Sequence, residues 1–316
     1  MKLRQETLGM WLGLLGVLFF AITLPMTRLA TGTQEAPQLS PWFVTLGRAA
    51  LAGVLSVIFL VVTRSPRPQP AQWKPLGLAV LGNAIGYPLL LAYALRVVDA
   101  SHAAVITALL PLVTAVVAAW VLHQRARLGF WLCAVAGSAL VIVFSLLRAG
   151  SHGSAIGFEW ADLLLVGAVF AASVGYIYGA QVTPALGAER VICWVCVMAL
   201  PLTLPGTLWL WPAQPIAASA WAGFVYVGVF SMWVGFFAWY RGLAMGGALR
   251  VSQTQLLQPF FSILAAVPLL GEPLDVVTLG FAAAVVATVV AGKRLSQPRS
   301  PATSAPVTLR APKETS

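Results

Sequence analysis

Apolar residues run along this chain in ten long blocks, with no strict alternation of apolar and polar positions. The blocks predict helices near 9–30, 42–63, 76–96, 101–122, 128–147, 160–182, 190–211, 218–240, 249–270 and 274–292. A helix needs about 20 apolar residues to cross about 30 Å of hydrocarbon. A membrane-spanning strand would alternate over about 10 positions, whereas runs such as Leu128–Leu147 are continuous. The pattern therefore predicts an all-α integral membrane protein. His102 and Arg250 interrupt the starts of the fourth and ninth blocks.

The pattern is written twice. Residues 91–147 overlay 239–295 at a constant offset of 148, without a gap. Leu95 meets Leu243, Ala100 meets Ala248, Leu109 meets Leu257 and Pro111 meets Pro259. Gln124 meets Glu272 at the polar end of the second run. Ten helices divide into two repeats of five, at 9–147 and 158–292. An odd number per repeat inverts the second relative to the first, an architecture in which two halves rock around a central site.

Composition supports hydrocarbon as the solvent. The chain is 59% hydrophobic and 9% charged, against about 25% charged in soluble domains. Charge then sets orientation. With residues 1–8 inside, the inner segments hold Lys2, Arg4, Arg64, Arg67, Lys74, Arg125, Arg127, Arg190, Arg241, Arg250, Lys293, Arg294, Arg299, Arg310 and Lys313. The outer segments hold Arg96 and Arg148. This asymmetry places both termini in the cytoplasm of a multi-pass cell-membrane protein, in a bacterial inner membrane. The net charge of +10 reflects that topology, and nucleic acid is not an expected partner. The first block reads as an uncleaved helix rather than a signal peptide. The Pro-rich 64–75 stretch reads as a cytoplasmic linker. Residues 293–316 read as a disordered cytoplasmic tail.

The order of short motifs resembles the ten-helix type of the drug/metabolite transporter superfamily, with two EamA domains. The resemblance rests on Tyr93-Ala94-Leu95 through Ala100-Ser101 and Leu109-Leu110-Pro111, then on Leu243, Ala248, Leu257-Gln258-Pro259 and Leu270-Gly271-Glu272-Pro273-Leu274. Leu24-Pro25-Met26-Thr27-Arg28 resembles the end of that family's first helix, and Ser40-Pro41 with Arg48 the start of its second. His123-Gln124 departs from the usual Gly-Glu of the first repeat. The resemblance implies an exporter of small metabolites, often amino acids, worked by alternating access. A nucleotide-sugar or sugar-phosphate carrier of the same superfamily is the alternative, and a membrane receptor or scaffold without transport is the alternative of another class.

Ionisable residues narrow the chemistry. All nine acids (Glu6, Glu35, Asp99, Glu159, Asp162, Glu189, Glu272, Asp275 and Glu314) lie near span ends, in loops or in tails. Export of lipophilic cations needs a buried carboxylate, which this arrangement does not offer. Arg28 and Arg48 fall inside spans, where a cation is costly unless it has a task. Each has two readings: holding an anionic substrate group such as a carboxylate, or snorkelling and bonding helix-end carbonyls.

Polar positions on the fourth and ninth helices are the other substrate-facing candidates. Gln255 and Gln258 are three apart and share a face, and Ser262 follows. Thr107 and Thr114 match Gln255 and Ser262 at the offset of 148. Such a stripe is either a cavity lining or interhelical glue. Pro111 and Pro259 free carbonyls one turn earlier, for a ligand or simply as kinks. Asn83, Tyr87 and Tyr176 are deep enough to line the same cavity. Trp42, Trp73, Trp160, Trp211, Trp239 and Tyr240 read as interfacial belt residues. Gly271 and Glu272, ahead of Pro273, read as a structural turn and helix start. Gly9/Gly13 and Gly82/Gly86 read as close-packing pairs.

No catalytic or metal-binding set is expected. His102, His123 and His152 lie on separate segments, and Cys133, Cys193 and Cys196 read as packing residues. Without a phosphate-cradling loop, no cofactor is expected, and the chain reads as a transporter rather than an enzyme. Its expected partners are a small-molecule substrate and the lipid bilayer, in an architecture compatible with a homodimer.

Overall fold

The computed structural model describes residues 2–33, 35–98, 103, 106–123, 127–151, 160–262, 264 and 276–296. Among these the regular structure is helical, apart from one isolated bridge between Gly32 and Pro37. Six helices are long and apolar enough to cross a membrane: Arg4–Thr31, Pro41–Val62, Pro70–Val97, Trp160–Leu186, Ala188–Trp209 and Ala218–Gly246. Other helices occupy the remaining predicted spans. Leu110–Val121 is the fourth, Leu128–Ser151 the fifth and Val276–Ser296 the tenth. The ninth runs Ala248–Ser252, Gln253–Leu257 as a 3₁₀ turn, then 258–262. Outward faces carry Ile58, Val61, Trp120, Leu132, Leu163 and Phe170, all exposed, as hydrocarbon as solvent requires.

Local chemistry explains where the boundaries depart from hydropathy. The third helix begins at Pro70, six residues before the predicted start. There Gln69 and Gln72 form a reciprocal capping box with Pro70 at the first helical position. The Pro-rich linker is correspondingly shorter than 64–75. The eighth helix continues to Gly246, six residues beyond the predicted end, and stops where Gly247 adopts a φ of 84°. The second helix starts on the Ser40 hydroxyl, which accepts from the Phe43 amide at 3.0 Å.

Three helices are broken at mid-span. The first is interrupted at Ile22, between Lys2–Ala21 and Thr23–Thr31. Pro25 has no N–H to return to the Ala21 carbonyl, and side chains of other helices bond carbonyls at this break. Tyr226 donates to Phe19 O at 2.9 Å, Gln258 to Phe20 O at 3.4 Å, and Ser262 to Ala21 O. The third and eighth helices contain π turns, at Val80–Gly86 and Val227–Val234. In the third, Pro88 withholds the amide that would bond Ala84, and Tyr87 N–H reaches back to Gly82 O instead. The offset of 148 carries 80–86 onto 228–234, so the duplication extends into irregular backbone.

Packing follows the same duplication. The first helix lies against the eighth and the third against the sixth, while the second pairs with the seventh, the fourth with the ninth and the fifth with the tenth. Exchanging the two five-helix halves maps this set of pairings onto itself. Glycines permit the closest approaches. A Cβ on Gly9 would enter the backbone of Gly246, and one on Gly82 the backbone of Gly175. The two close-packing pairs read from sequence thus serve symmetry-related crossings.

Candidate functional site

A small central cavity lies where the irregular segments converge. Phe20 and Thr23 of the first helix line it at the break, with Arg48 of the second and Asn83 and Tyr87 of the third. Leu110 of the fourth, Tyr176 of the sixth, Ser231 and Phe236 of the eighth and Gln258 of the ninth complete it. Both halves contribute, as expected for a site on a two-fold relation. Asn83 and Ser231 occupy equivalent positions at the offset of 148, each within a π turn.

Among the described residues Arg48 is the only cationic one in this lining, and it is 2% exposed. Its Nη2 donates to Ser231 Oγ at 3.1 Å. Ser231 Oγ lies 2.9 Å from Thr23 Oγ1, joining helices one, two and eight. Arg48 Nε has no hydrogen-bond partner. Among the described residues no carboxylate pairs with this guanidinium; Tyr87, Tyr176 and Cys196 are the titratable groups around it. The described acids are engaged or remote. Glu6 pairs with Arg250 at 2.7 Å and Glu189 with Arg241 at 3.3 Å. Glu35 stands in the loop before the second helix, and Asp162 in the first turn of the sixth.

Part of the lining is aromatic. Phe20 and Tyr176 are near-parallel at 6.3 Å between centroids, with Phe236 set against both at 5.2 and 5.8 Å. Trp239 backs Tyr176 at 5.3 Å. Asn83 Nδ2 donates to the Tyr240 hydroxyl at 2.8 Å, which donates in turn to Gly175 O at 3.3 Å. Asn83 Oδ1 is buried without a partner. Trp239 and Tyr240 are fully buried, which corrects the expectation of belt residues. The eighth helix extends six residues past its predicted end, so positions that hydropathy put at the interface lie within the bundle. Trp42, Trp73, Trp160 and Trp211 are exposed at 41–59%.

Of the sequence candidates, Arg48, Asn83, Tyr87, Tyr176 and Gln258 meet at this cavity, and the others go elsewhere. Gln255 is 3% exposed and stands beside Tyr176, yet neither of its amide atoms completes a hydrogen bond. Thr107 donates to Ala103 O of its own helix at 2.9 Å. Thr114 is fully buried 3.0 Å from the Ser173 hydroxyl, tying helix four to helix six. Ser262 is occupied at the break of helix one. Arg28 donates to Leu95 O and Val98 O at 2.5 and 2.7 Å, closing the end of the third helix. The Pro111 carbonyl accepts from Gln253 at 3.4 Å, and Pro259 follows the 3₁₀ turn. Gly271 and Glu272 lie outside the described residues.

Sequence reading missed Phe20, Thr23, Leu110, Ser231 and Phe236. Ser231 had a signal: it stands 148 residues after Asn83, the candidate that the first repeat supplied.

Comparison with known proteins agrees with this architecture. The profile of the EamA-like transporter family matches residues 7–146 and 159–291. YdeK, described as an uncharacterized transporter of Bacillus subtilis (strain 168), is 38% identical over 296 residues, covering 93% of this chain and 100% of YdeK. A solved crystal structure that is 19% identical superposes with a TM-score of 0.70, over 91% of this chain and 97% of the other.

Proposed function

We propose, from the premise that this chain belongs to the EamA-like transporter family, that it is a secondary exporter of small carboxylate-bearing metabolites, working by alternating access. As a member it is a multi-pass membrane transporter. The second repeat is inverted relative to the first, both termini are cytoplasmic, and the membrane is the cell membrane.

One observation carries the substrate reading: Arg48, buried in the cavity lining with no carboxylate beside it among the described residues. A buried guanidinium without a counter-ion is costly. A substrate carboxylate satisfies it, accepting from Nε and the remaining Nη hydrogens in the planar fork that suits this group. A single cation in the described lining suits a small monocarboxylate better than a nucleotide-sugar, whose diphosphate asks for more positive charge.

Metabolite profiling of the medium tests this reading. Cells overexpressing the protein enrich at least one carboxylate-bearing metabolite outside, and cells expressing Arg48→Gln at equal abundance do not. Equal media from both overturn the substrate reading. Transport in sealed vesicles proceeds without ATP, and strict dependence on ATP overturns the secondary-transport reading.

A further inference from the structure

Charge balance in the cavity narrows the cargo beyond a small carboxylate. We propose that the cargo is a monoanion without an ammonium group, such as a 2-oxo acid, and that the site selects against the α-amino acid of the same carbon skeleton. This rests on the reading that Arg48 holds the substrate carboxylate.

The end of the cavity near Arg48 is rich in donors. Arg48 Nε is unpartnered, and Nη2 donates to Ser231 Oγ. Ser231 and Thr23 share one hydrogen bond between them. Two hydroxyls own two hydrogens and their mutual bond uses one, so a hydroxyl hydrogen remains on the pair whichever of them donates. A carboxylate fits these donors, and its charge cancels that of the guanidinium.

The rest of the lining is neutral. It consists of Phe20, Leu110 and Phe236, with Asn83, Tyr87, Tyr176 and Gln258 as its polar members. Among the described residues no acidic side chain lines the cavity, and the sequence places every one of its acids near a span end, in a loop or in a tail. A monoanion bound to Arg48 leaves the buried site at net zero. A zwitterion adds an ammonium that meets only neutral dipoles, and leaves the loaded site at net +1. Burying a cation without a counter-ion is strongly disfavoured. A 2-oxo group asks only for donors, and a hydroxyl or amide N–H on this lining supplies one. The neutral polar residues thus discriminate by what they lack, while the donor cluster binds what both cargoes share.

Matched pairs test the proposal on the purified full-length protein. Binding of 3-methyl-2-oxobutanoate is compared with valine, and phenylpyruvate with phenylalanine, by calorimetry on the wild type and Arg48→Gln. Each pair shares its skeleton and differs at C2. The expected result is at least tenfold tighter binding of the 2-oxo acid in any pair that binds, lost in Arg48→Gln, with both proteins monodisperse by size exclusion. An amino acid that binds as tightly as its 2-oxo partner, with both lost in Arg48→Gln, overturns this inference and leaves Arg48 as the carboxylate anchor. Absence of binding for all four acids, or binding that Arg48→Gln leaves unchanged, overturns the inference and the substrate reading together.

Discussion

Arg48 Nη2 and Ser231 Oγ stand 3.1 Å apart although 183 residues separate them in the chain. The bond joins the second helix of one repeat to the π turn of the eighth, and Ser231 passes it on to Thr23 at the break of the first. Two irregular elements thus meet at Arg48, the one cationic side chain among the described residues of the cavity lining. Backbone irregularity at membrane depth is tolerated where it is buried in protein or lines a cavity, and here it does both.

The first prediction separates transport from stability at Arg48. Arg48→Gln removes a charge-assisted contact to the substrate carboxylate, worth about 1.5–3 kcal/mol, so export falls at least tenfold. The same change removes an uncompensated buried charge, which costs the fold more than the lost bond to Ser231 returns. The detergent-extracted protein therefore keeps its Tm or gains a few degrees. A drop in Tm would show that the guanidinium is a structural strut.

Thr114 gives the opposite pattern. Its hydroxyl is fully buried against Ser173, between helices four and six. Thr114→Val preserves the shape and breaks one interhelical bond, at a cost of about 0.5–1.5 kcal/mol. Thermal-shift measurements are expected to record a small loss of stability with export retained. Loss of export at unchanged Tm would return Thr114 to the substrate path.

The helical class and the duplication were legible in the sequence because hydrocarbon imposes long apolar runs, and because both repeats kept their register. The site was legible only in part. Arg48, Asn83, Tyr87, Tyr176 and Gln258 stand out as polar or aromatic residues within apolar blocks. Thr107, Thr114 and Ser262 carry the same signal, but their hydroxyls bond backbone or a neighbouring hydroxyl, and periodicity cannot say which partner a hydroxyl takes. Thr23 and Ser231 are small and unremarkable by type. They matter because the break at Ile22 and the π turn place them beside Arg48, and only backbone geometry reveals that.

Two ion pairs link helix ends on the side that the proposed topology assigns to the cytoplasm. Glu6 of the first helix holds Arg250 of the ninth at 2.7 Å, and Glu189 of the seventh holds Arg241 of the eighth at 3.3 Å. The first pair crosses from one repeat to the other, so inward opening has to part it. A partly exposed pair is worth about 1 kcal/mol or less, or a shift of up to about fivefold between conformations. With the three native cysteines replaced, a cysteine at 258 is expected to react faster from the cytoplasmic side when Glu6→Gln is added. An unchanged rate would mean that the pair does not hold the cytoplasmic face closed.

Gln258 and Ser262 are one turn apart on the ninth helix, and both reach the broken first helix. Their substitution should nevertheless fail in different ways. Ser262 meets the Ala21 carbonyl that Pro25 cannot bond, and Ser262→Ala leaves that acceptor bare at a cost of about 1–3 kcal/mol. Its bond to the Gln258 carbonyl at 3.2 Å is dispensable, because that carbonyl lies within a helix. Gln258 lines the cavity, and its bond to Phe20 O is long at 3.4 Å. Gln258→Leu therefore gives up little stability while removing a polar contact to the cargo, worth about 0.5–1.5 kcal/mol or more where a cargo group is left unpaired. Export by Gln258→Leu is expected to fall at least threefold at near-native Tm. Ser262→Ala is expected to lower Tm while the surviving protein exports at a near-normal rate per molecule. If the two defects are exchanged, the cavity face of the ninth helix lies at 262 rather than at 258.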